Sequence, residues 1–321
     1  QHLHLLPGRR LFALLMKISI SRTVWILSLV SLLTDMASEM LYPVMPLFLK
    51  SIGFSVVLIG ILEGLAEATA GLSKGYFGRL SDAWGKRAPF VQTGYALSAV
   101  SKPLMALFVF PLWVFFARTI DRLGKGIRTG ARDAILSGEA TPETKGRVFG
   151  FHRSMDTLGA VAGPLLALVF LHFYPEDYKT LFLLAFLPGA LAVFSSFLLR
   201  DKTGEPVREI ERVTFFSFLH FWKTGPAAYR RVAGGLLAFA LFNSSDVFLL
   251  LRAKETGLGD TAVIGVYIFY NLVYALFSFP LGVLADKLGL KRMFIAGLLV
   301  FSAVYVGMGM NPGWNGIILL F

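Results

Sequence analysis

The chain is a succession of apolar stretches, each about as long as a helix must be to cross roughly 30 Å of hydrocarbon. They cover residues 23–49, 54–77, 88–109, 111–131, 148–174, 179–199, 231–251, 260–283 and 291–310, and a further one begins near Asn315. In lipid every backbone polar group must be satisfied within the chain, so stretches of this length read as membrane-spanning helices. Composition agrees. Of 321 residues, 55% are hydrophobic and 16% charged, whereas soluble domains carry about 25% charge. The expected fold class is an all-α polytopic membrane protein. With no Cys, disulfide scaffolds and thiol chemistry are excluded.

A net charge of +11 would suit a nucleic-acid partner, but its placement argues for topology instead. Alternate loops carry Arg79, Lys86 and Arg87; Arg132, Lys145 and Arg147; Arg200, Lys202, Arg208, Arg212, Lys223, Arg230 and Arg231; and Lys287, Lys291 and Arg292. The opposite loops hold only Lys50, Lys179, Arg252 and Lys254. Basic loops stay cytoplasmic, so the N-terminus and the 200–230 segment are expected inside, next to anionic lipid headgroups. No basic stripe with stacking aromatics stands apart from this pattern, and no nucleic-acid partner is expected. Residues 1–22 read as a cytoplasmic, interfacial segment, and Gln1 points to a natural start further upstream. Residues 23–199 form a bundle of spans. Residues 200–230 are a linker whose Val213–Trp222 stretch is amphipathic, and residues 231–321 form a second, incomplete bundle.

The chain also repeats itself. Gly78-Arg-Leu-Ser-Asp82-Ala-Trp-Gly85-Lys86-Arg87 returns 204 positions on as Gly282-Val-Leu-Ala-Asp286-Lys-Leu-Gly289-Leu-Lys291-Arg292. Lys50 and Gly53 are echoed by Lys254 and Gly257. Parallel halves of this kind occur in one large class of secondary transporters. In each copy the glycines allow a sharp turn, and the Asp is placed to cap the N-terminus of the next helix.

At these residues the chain resembles the major facilitator superfamily. Gly78–Arg87 is similar to that family's signature loop between helices 2 and 3, departing at Ala83; the second copy departs at Leu290. The resemblance implies two pseudo-symmetric six-helix bundles, of which this chain would end inside the tenth helix. It also implies a conformational latch at Gly78, Asp82, Gly85, Lys86, Arg87, Gly282, Asp286 and Gly289. Gly150, Gly159, Gly163 and Pro164 resemble the family's antiporter motif, with Ala167 and Leu168 where its last two glycines belong. Gly159 and Gly163 share one helical face, permitting close packing, and Pro164 is expected to bend the helix. By resemblance this motif implies exchange of substrate for protons, hence efflux. The run Asp121 to Asp133, with Gly124, Gly126 and Gly130, resembles the helix-4 motif of the family's exporters, in which an Arg, here Arg118 or Arg122, takes part in proton transfer.

Ionisable residues lie where lipid should be. Each costs about 2.5–3.5 kcal/mol at mid-span unless it finds a partner or a watery cavity. Asp35 and Glu39 lie four apart in the first span, and Glu63 and Glu67 four apart in the second. Arg118, Asp121, Arg122 and Lys125 lie in the fourth, and His152, Arg153 and Asp156 in the fifth. Asn243, Asp246, Tyr267, Tyr270, Asn271 and Tyr274 lie beyond the linker. Counted this way, acids outnumber bases in the first bundle, and a desolvated carboxylate that an arginine can approach or leave is the physics of a proton carrier.

Other chemistries lack their residues. No Gly-rich loop ends in Lys-Ser/Thr, the histidines have no metal-ligand spacing, and no Ser sits in a Ser–His–Asp arrangement. Neither a metal, a cofactor nor enzymatic activity is expected. The reading is a proton-coupled exporter of a small organic or amphipathic compound, monomeric by family default, in a bacterial inner membrane. Its rivals are an importer or lipid flippase on the same scaffold, and a non-transporting receptor or scaffold. Candidate proton and substrate groups are Asp35, Glu39, Glu63, Glu67, Arg118, Asp121, Arg122, Asp156, Asn243, Asp246 and Asn271. Glu67→Gln is expected to reduce pH-gradient-driven flux while leaving membrane insertion intact; unchanged flux in vesicles would remove Glu67 from the mechanism.

Overall fold

A computed structural model describes residues 20–42, 44–201, 214–242 and 260–310, and every regular element among them is a helix. Helix α1 (Arg22–Glu39) starts where the Ser21 hydroxyl accepts the Val24 N–H, satisfying one of the donors that a helix start leaves open. The chain unwinds after it and resumes as the short α2 (Met45–Ser51). Proline removes a backbone donor, and the Tyr42-Pro-Val-Met-Pro sequence coincides with this break, although Pro43 lies outside the described residues. Then come α3 (Val56–Trp84), α4 (Ala88–Leu107), α5 (Pro111–Glu139), α6 (Lys145–Phe173) and α7 (Tyr178–Ser196). Beyond the linker lie α8 (Ser217–Thr224), α9 (Ala227–Phe242), α10 (Asp260–Leu288) and α11 (Leu290–Gly309). The 1–19 segment, Asn243, Asp246, the Lys254 and Gly257 echo and the stretch from Asn315 lie outside the described residues.

Helices α3 and α5 run past the ends expected from hydropathy, because charged residues prolong a helix as readily as apolar ones. Only Gly85, with a left-handed φ of 64°, stops α3. Its counterpart Gly289 has φ 94° and separates α10 from α11, so the duplicated motif keeps its turn in both copies. The extension of α5 to Glu139 places Arg132 inside a helix and not in a connecting loop. Pro103, Pro164, Pro188 and Pro280 lie within α4, α6, α7 and α10, none of which they interrupt.

The expected capping by Asp82 is corrected. Its carboxylate binds the Arg87 guanidinium at 2.8 Å, while the start of α4 is capped from afar by Asp201, which accepts the Arg87 and Ala88 N–H groups at 2.9 Å each. The second copy differs. Asp286, at the end of α10, accepts the backbone N–H groups of Gly146 (2.6 Å) and Arg147 (2.9 Å). It therefore caps α6, in the other half, where a carboxylate also meets the positive end of the helix dipole.

Helix α1 packs on α6 and α7, α5 between α3 and α4, α4 on α7, and α10 on α6. Two apolar layers result. One gathers Val24, Leu27, Val91, Tyr95 and Leu136 toward the end with the basic loops; the other gathers Phe48, Leu49, Met105, Leu181 and Phe182 toward the opposite end. Between them lies a buried polar layer that includes Ser31, Thr34, Ser98, Ser101, Lys102, Asp121 and Asp156. Outward faces are the reverse, with large apolar side chains such as Leu112, Phe194 and Leu299 exposed, as suits a lipid solvent and not water. Helices α6, α7, α11 and residues Gly265–Leu288 of α10 are apolar and long enough to cross a membrane by composition alone. Helices α3 and α5 are equally long but carry internal charge.

Close approach depends on glycine at the α1–α6 crossing. A Cβ on Gly159 would strike the Leu32 carbonyl oxygen, and one on Gly163 would lie 2.6 Å from that of Met36. Gly146 and Gly150 play the same part against α10, where they meet Gly282 and the Ser278 carbonyl. Overpacking of such a contact typically costs about 1–3 kcal/mol, so Gly159→Ala is expected to lower the unfolding temperature in detergent. Gly60→Ala, where a Cβ meets nothing within 4 Å, is the control expected not to lower it, since Ala favours the helix over Gly.

Candidate functional site

A cavity of about 290 Å³ opens in the polar layer, between α1, α5, α6 and α10. That volume lies near the lower end of the roughly 300–1,000 Å³ typical of small-molecule sites. Helix α1 contributes Asp35, Ser38 and Glu39, one turn apart on one face. From α5 come Asp121, Arg122, Lys125, Arg128, Thr129 and Arg132, from α6 Arg153, Asp156, Thr157 and Ala160, and from α10 Tyr267, Tyr270, Asn271 and Tyr274.

Each charge on α5 is held differently. Lys102, 2% exposed on α4, forms an ion pair with Asp121 at 2.7 Å and donates to the Ser38 hydroxyl. Arg118 grips Glu63 of α3 through Nε (3.0 Å) and Nη2 (2.7 Å), and its Nη1 lies 3.7 Å from Asp121. Arg122 binds Glu67 at 3.0 Å. Glu63, Glu67 and Arg118 thus belong to the α3–α5 contact and are absent from the cavity lining. Asp35, Glu39, Asp121, Arg122, Asp156 and Asn271 do line it. Asn243 and Asp246 fall outside the described residues.

The expected surplus of acid is not what the cavity wall carries. Asp35, Glu39, Asp121 and Asp156 face Arg122, Lys125, Arg128, Arg132 and Arg153, so bases outnumber acids. The count from sequence omitted Arg128, and Arg132 by taking it for a loop residue; it also missed Lys102, although Ser98-x-x-Ser101-Lys102 is a polar stripe in an otherwise apolar span.

Two features tie the wall together. Asp156 accepts hydrogen bonds from Ser31 of α1 and from Arg153 Nη1 (2.8 Å), and Asp35 lines the same cavity wall. Across to α10, the Tyr267 hydroxyl donates to Glu39 at 3.1 Å, and Arg153 Nε donates to the Tyr274 hydroxyl at 2.9 Å. His152, one turn from Asp156, is buried with Nδ1 3.4 Å from the Ser28 hydroxyl.

Removing one partner of a buried ion pair strands the other charge, typically at about 3–5 kcal/mol. Lys102→Met is therefore expected to destabilise the protein by that order in detergent unfolding, and a second change, Asp121→Asn, to recover part of the loss. A double variant no more stable than the single one would show that the pair is not the cause.

Comparison with known proteins agrees with this architecture. Residues 27–269 match the family model of the Major Facilitator Superfamily. An uncharacterized MFS-type transporter of Methanocaldococcus jannaschii is 33% identical over 308 residues, which cover 94% of this chain and 76% of that protein. The staphyloferrin B transporter of Staphylococcus aureus is 26% identical across 91% of this chain and 73% of its own length. Among solved structures, that of the human organic anion transporter MFSD10 (TETRAN) superposes with a TM-score of 0.69 at 15% identity, covering 93% of this chain and 83% of that one. The long apolar helices, the motif that returns with its turn intact and the match over most of the chain lead to one conclusion: this is an integral membrane protein belonging to the major facilitator superfamily of transporters.

Proposed function

We propose that the protein is a proton-coupled secondary transporter of a small organic compound, working by alternating access, with the cavity between α1, α5, α6 and α10 as its binding site. The observation that carries this reading is the cavity's set of carboxyl groups, Asp35, Glu39 and Asp156 among five bases, with Glu39 tied to Tyr267 of α10 at 3.1 Å. A carboxyl group in such a polar layer can carry a proton that a nearby guanidinium displaces. Asp156 already holds Ser31 and Arg153, which leaves Asp35 and Glu39 as the proton carriers of this proposal. Any movement that brings a guanidinium closer to Asp35 would favour release of that proton.

Coupling to motion is supported by the contacts that leave the first bundle. Glu39–Tyr267 and Arg153–Tyr274 both bridge to α10, so the charge on Glu39 or Asp156 bears on how firmly the two sides hold together. Asp286 of α10, capping the start of α6, is the latch of this proposal, made and broken as α10 rocks on its glycine contacts. Glu63, Glu67 and Arg118 then serve as a fixed frame that holds α5. Efflux in exchange for protons is the direction supported by the resemblance of the Gly150–Pro164 face to the antiporter motif. The basic loops, the N-terminus and the 200–230 linker would face the cytoplasm.

The test is proton movement followed with a pH-sensitive dye in proteoliposomes, across a panel of metabolites and drugs, with the full-length protein. Asp35→Asn and Glu39→Gln are each expected to lower substrate-dependent proton movement at least about tenfold, a change of ~1.4 kcal/mol in transition-state terms, with folded protein recovered in normal yield. Substrate flux without proton movement in the unaltered protein would refute the coupling.

A further inference from the structure

We infer that the cavity takes an organic anion, its negative group seated between Lys125 and Arg128 and its apolar body against the tyrosines of α10. The inference rests on the reading of this cavity as the substrate site and deepens it.

The cations of the cavity wall are not equivalent. Arg122, Lys125, Arg128 and Arg132 follow one another at helical spacing along α5 and all face the same space. The outer two are neutralised, Arg122 by Glu67 and Arg132 by Asp133 at 2.9 Å. The inner two form no ion pair with any described carboxylate. Arg128 is 6% exposed. It is held by the Ser98 hydroxyl and the Gly94 carbonyl and lies over the Tyr95 ring, its Cζ 4.6 Å from the centroid. These partners fix its position, and none of them carries a negative charge.

A buried charge without a counter-ion is strongly unfavourable, and an arginine has no means of escape, because it keeps its proton in any protein environment. The acids opposite have such a means. Asp35 and Glu39 are carboxyl groups that can take up a proton, and Glu39 accepts from the Tyr267 hydroxyl, so each can be satisfied with no cation from a ligand. The unmet electrostatic demand of the cavity is therefore for negative charge. A carboxylate, sulfonate or phosphate would supply it, and the guanidinium fork is suited to all three. Tyr267, Tyr270 and Tyr274, at i, i+3 and i+7, offer aromatic surface for the remainder of the molecule, and the volume limits that remainder to a small one.

Equilibrium binding to the purified full-length protein, with no pH gradient, separates the possibilities. The probes are benzoate, benzamide and benzylamine, which share a ring and differ in charge. Benzoate is expected to bind at least about tenfold more tightly than benzamide, and benzylamine most weakly. Lys125→Gln should remove the preference for benzoate over benzamide, and Lys125→Arg should restore it. Lys125 opens onto the cavity, so these variants keep the test independent of the packing that Arg128→Gln would disturb. Tighter binding of benzylamine, equal binding of all three, absence of saturable benzoate binding, or a Lys125→Gln variant with unchanged preference would each overturn the inference. In the unaltered protein, no charge preference with proton movement intact removes the ligand class alone. Proton-independent flux with the preference intact removes the coupling alone.

Discussion

The structure depends on neutralising charge inside a bundle whose outer surface is apolar. Helix α5 carries Arg118, Asp121, Arg122, Lys125, Arg128 and Arg132 through the interior, a load that composition alone would not admit to a membrane. It is tolerated because α3 and α4 flank it with partners. Glu63 and Glu67 meet it on one side and Lys102 on the other. Low dielectric strengthens each of these interactions and equally penalises any charge left without one. The neighbours of α5 are thus fixed by electrostatic need as much as by packing, and the cavity forms where that need is incompletely met.

Glycine sets the distances over which this can happen. Along α5, Gly124 and Gly130 bring the backbones of α4 and α3 close, which lets short ion pairs span adjacent helices. Gly159 and Gly163 do the same between α6 and α1, and so bring Asp156 beside Asp35. A small-residue stripe is an ordinary packing device in membranes. Here it also determines that Asp35 and Asp156 line one cavity.

Helix α6 joins the cavity to the helices packed around it. It carries Asp156 and Arg153 at the cavity, packs on α1 along one face and on α10 along another, and has its first turn clasped by Asp286. The charges of the cavity wall and the contact with α10 therefore share one helix, as the proposed coupling would require, since a ligand or proton can shift a conformational equilibrium only through interactions that differ between the two states.

Much of this was legible in the sequence. Hydropathy located the helices, the motif recurring 204 positions on located the matching turns, and paired acids at helical spacing marked the polar layer. Helix ends were less legible, because Arg79 and Arg132 look like loop residues until a helix is seen to carry them. The pairing of charges was not legible at all. Glu63 and Glu67 follow the same i, i+4 pattern as Asp35 and Glu39, yet the first pair braces α5 and the second lines the cavity.

The sequence by itself determined that the chain must lie in a membrane as helices, and that the motif ending α3 must recur at the end of α10, because both follow from local periodicity and turn chemistry. Only the tertiary structure decided which acid meets which base, that Asp201 and not Asp82 caps α4, and that Lys125 and Arg128 form no ion pair with any described carboxylate. Those outcomes depend on which helix faces lie side by side, and contacts between residues distant in the chain leave no periodic trace in it.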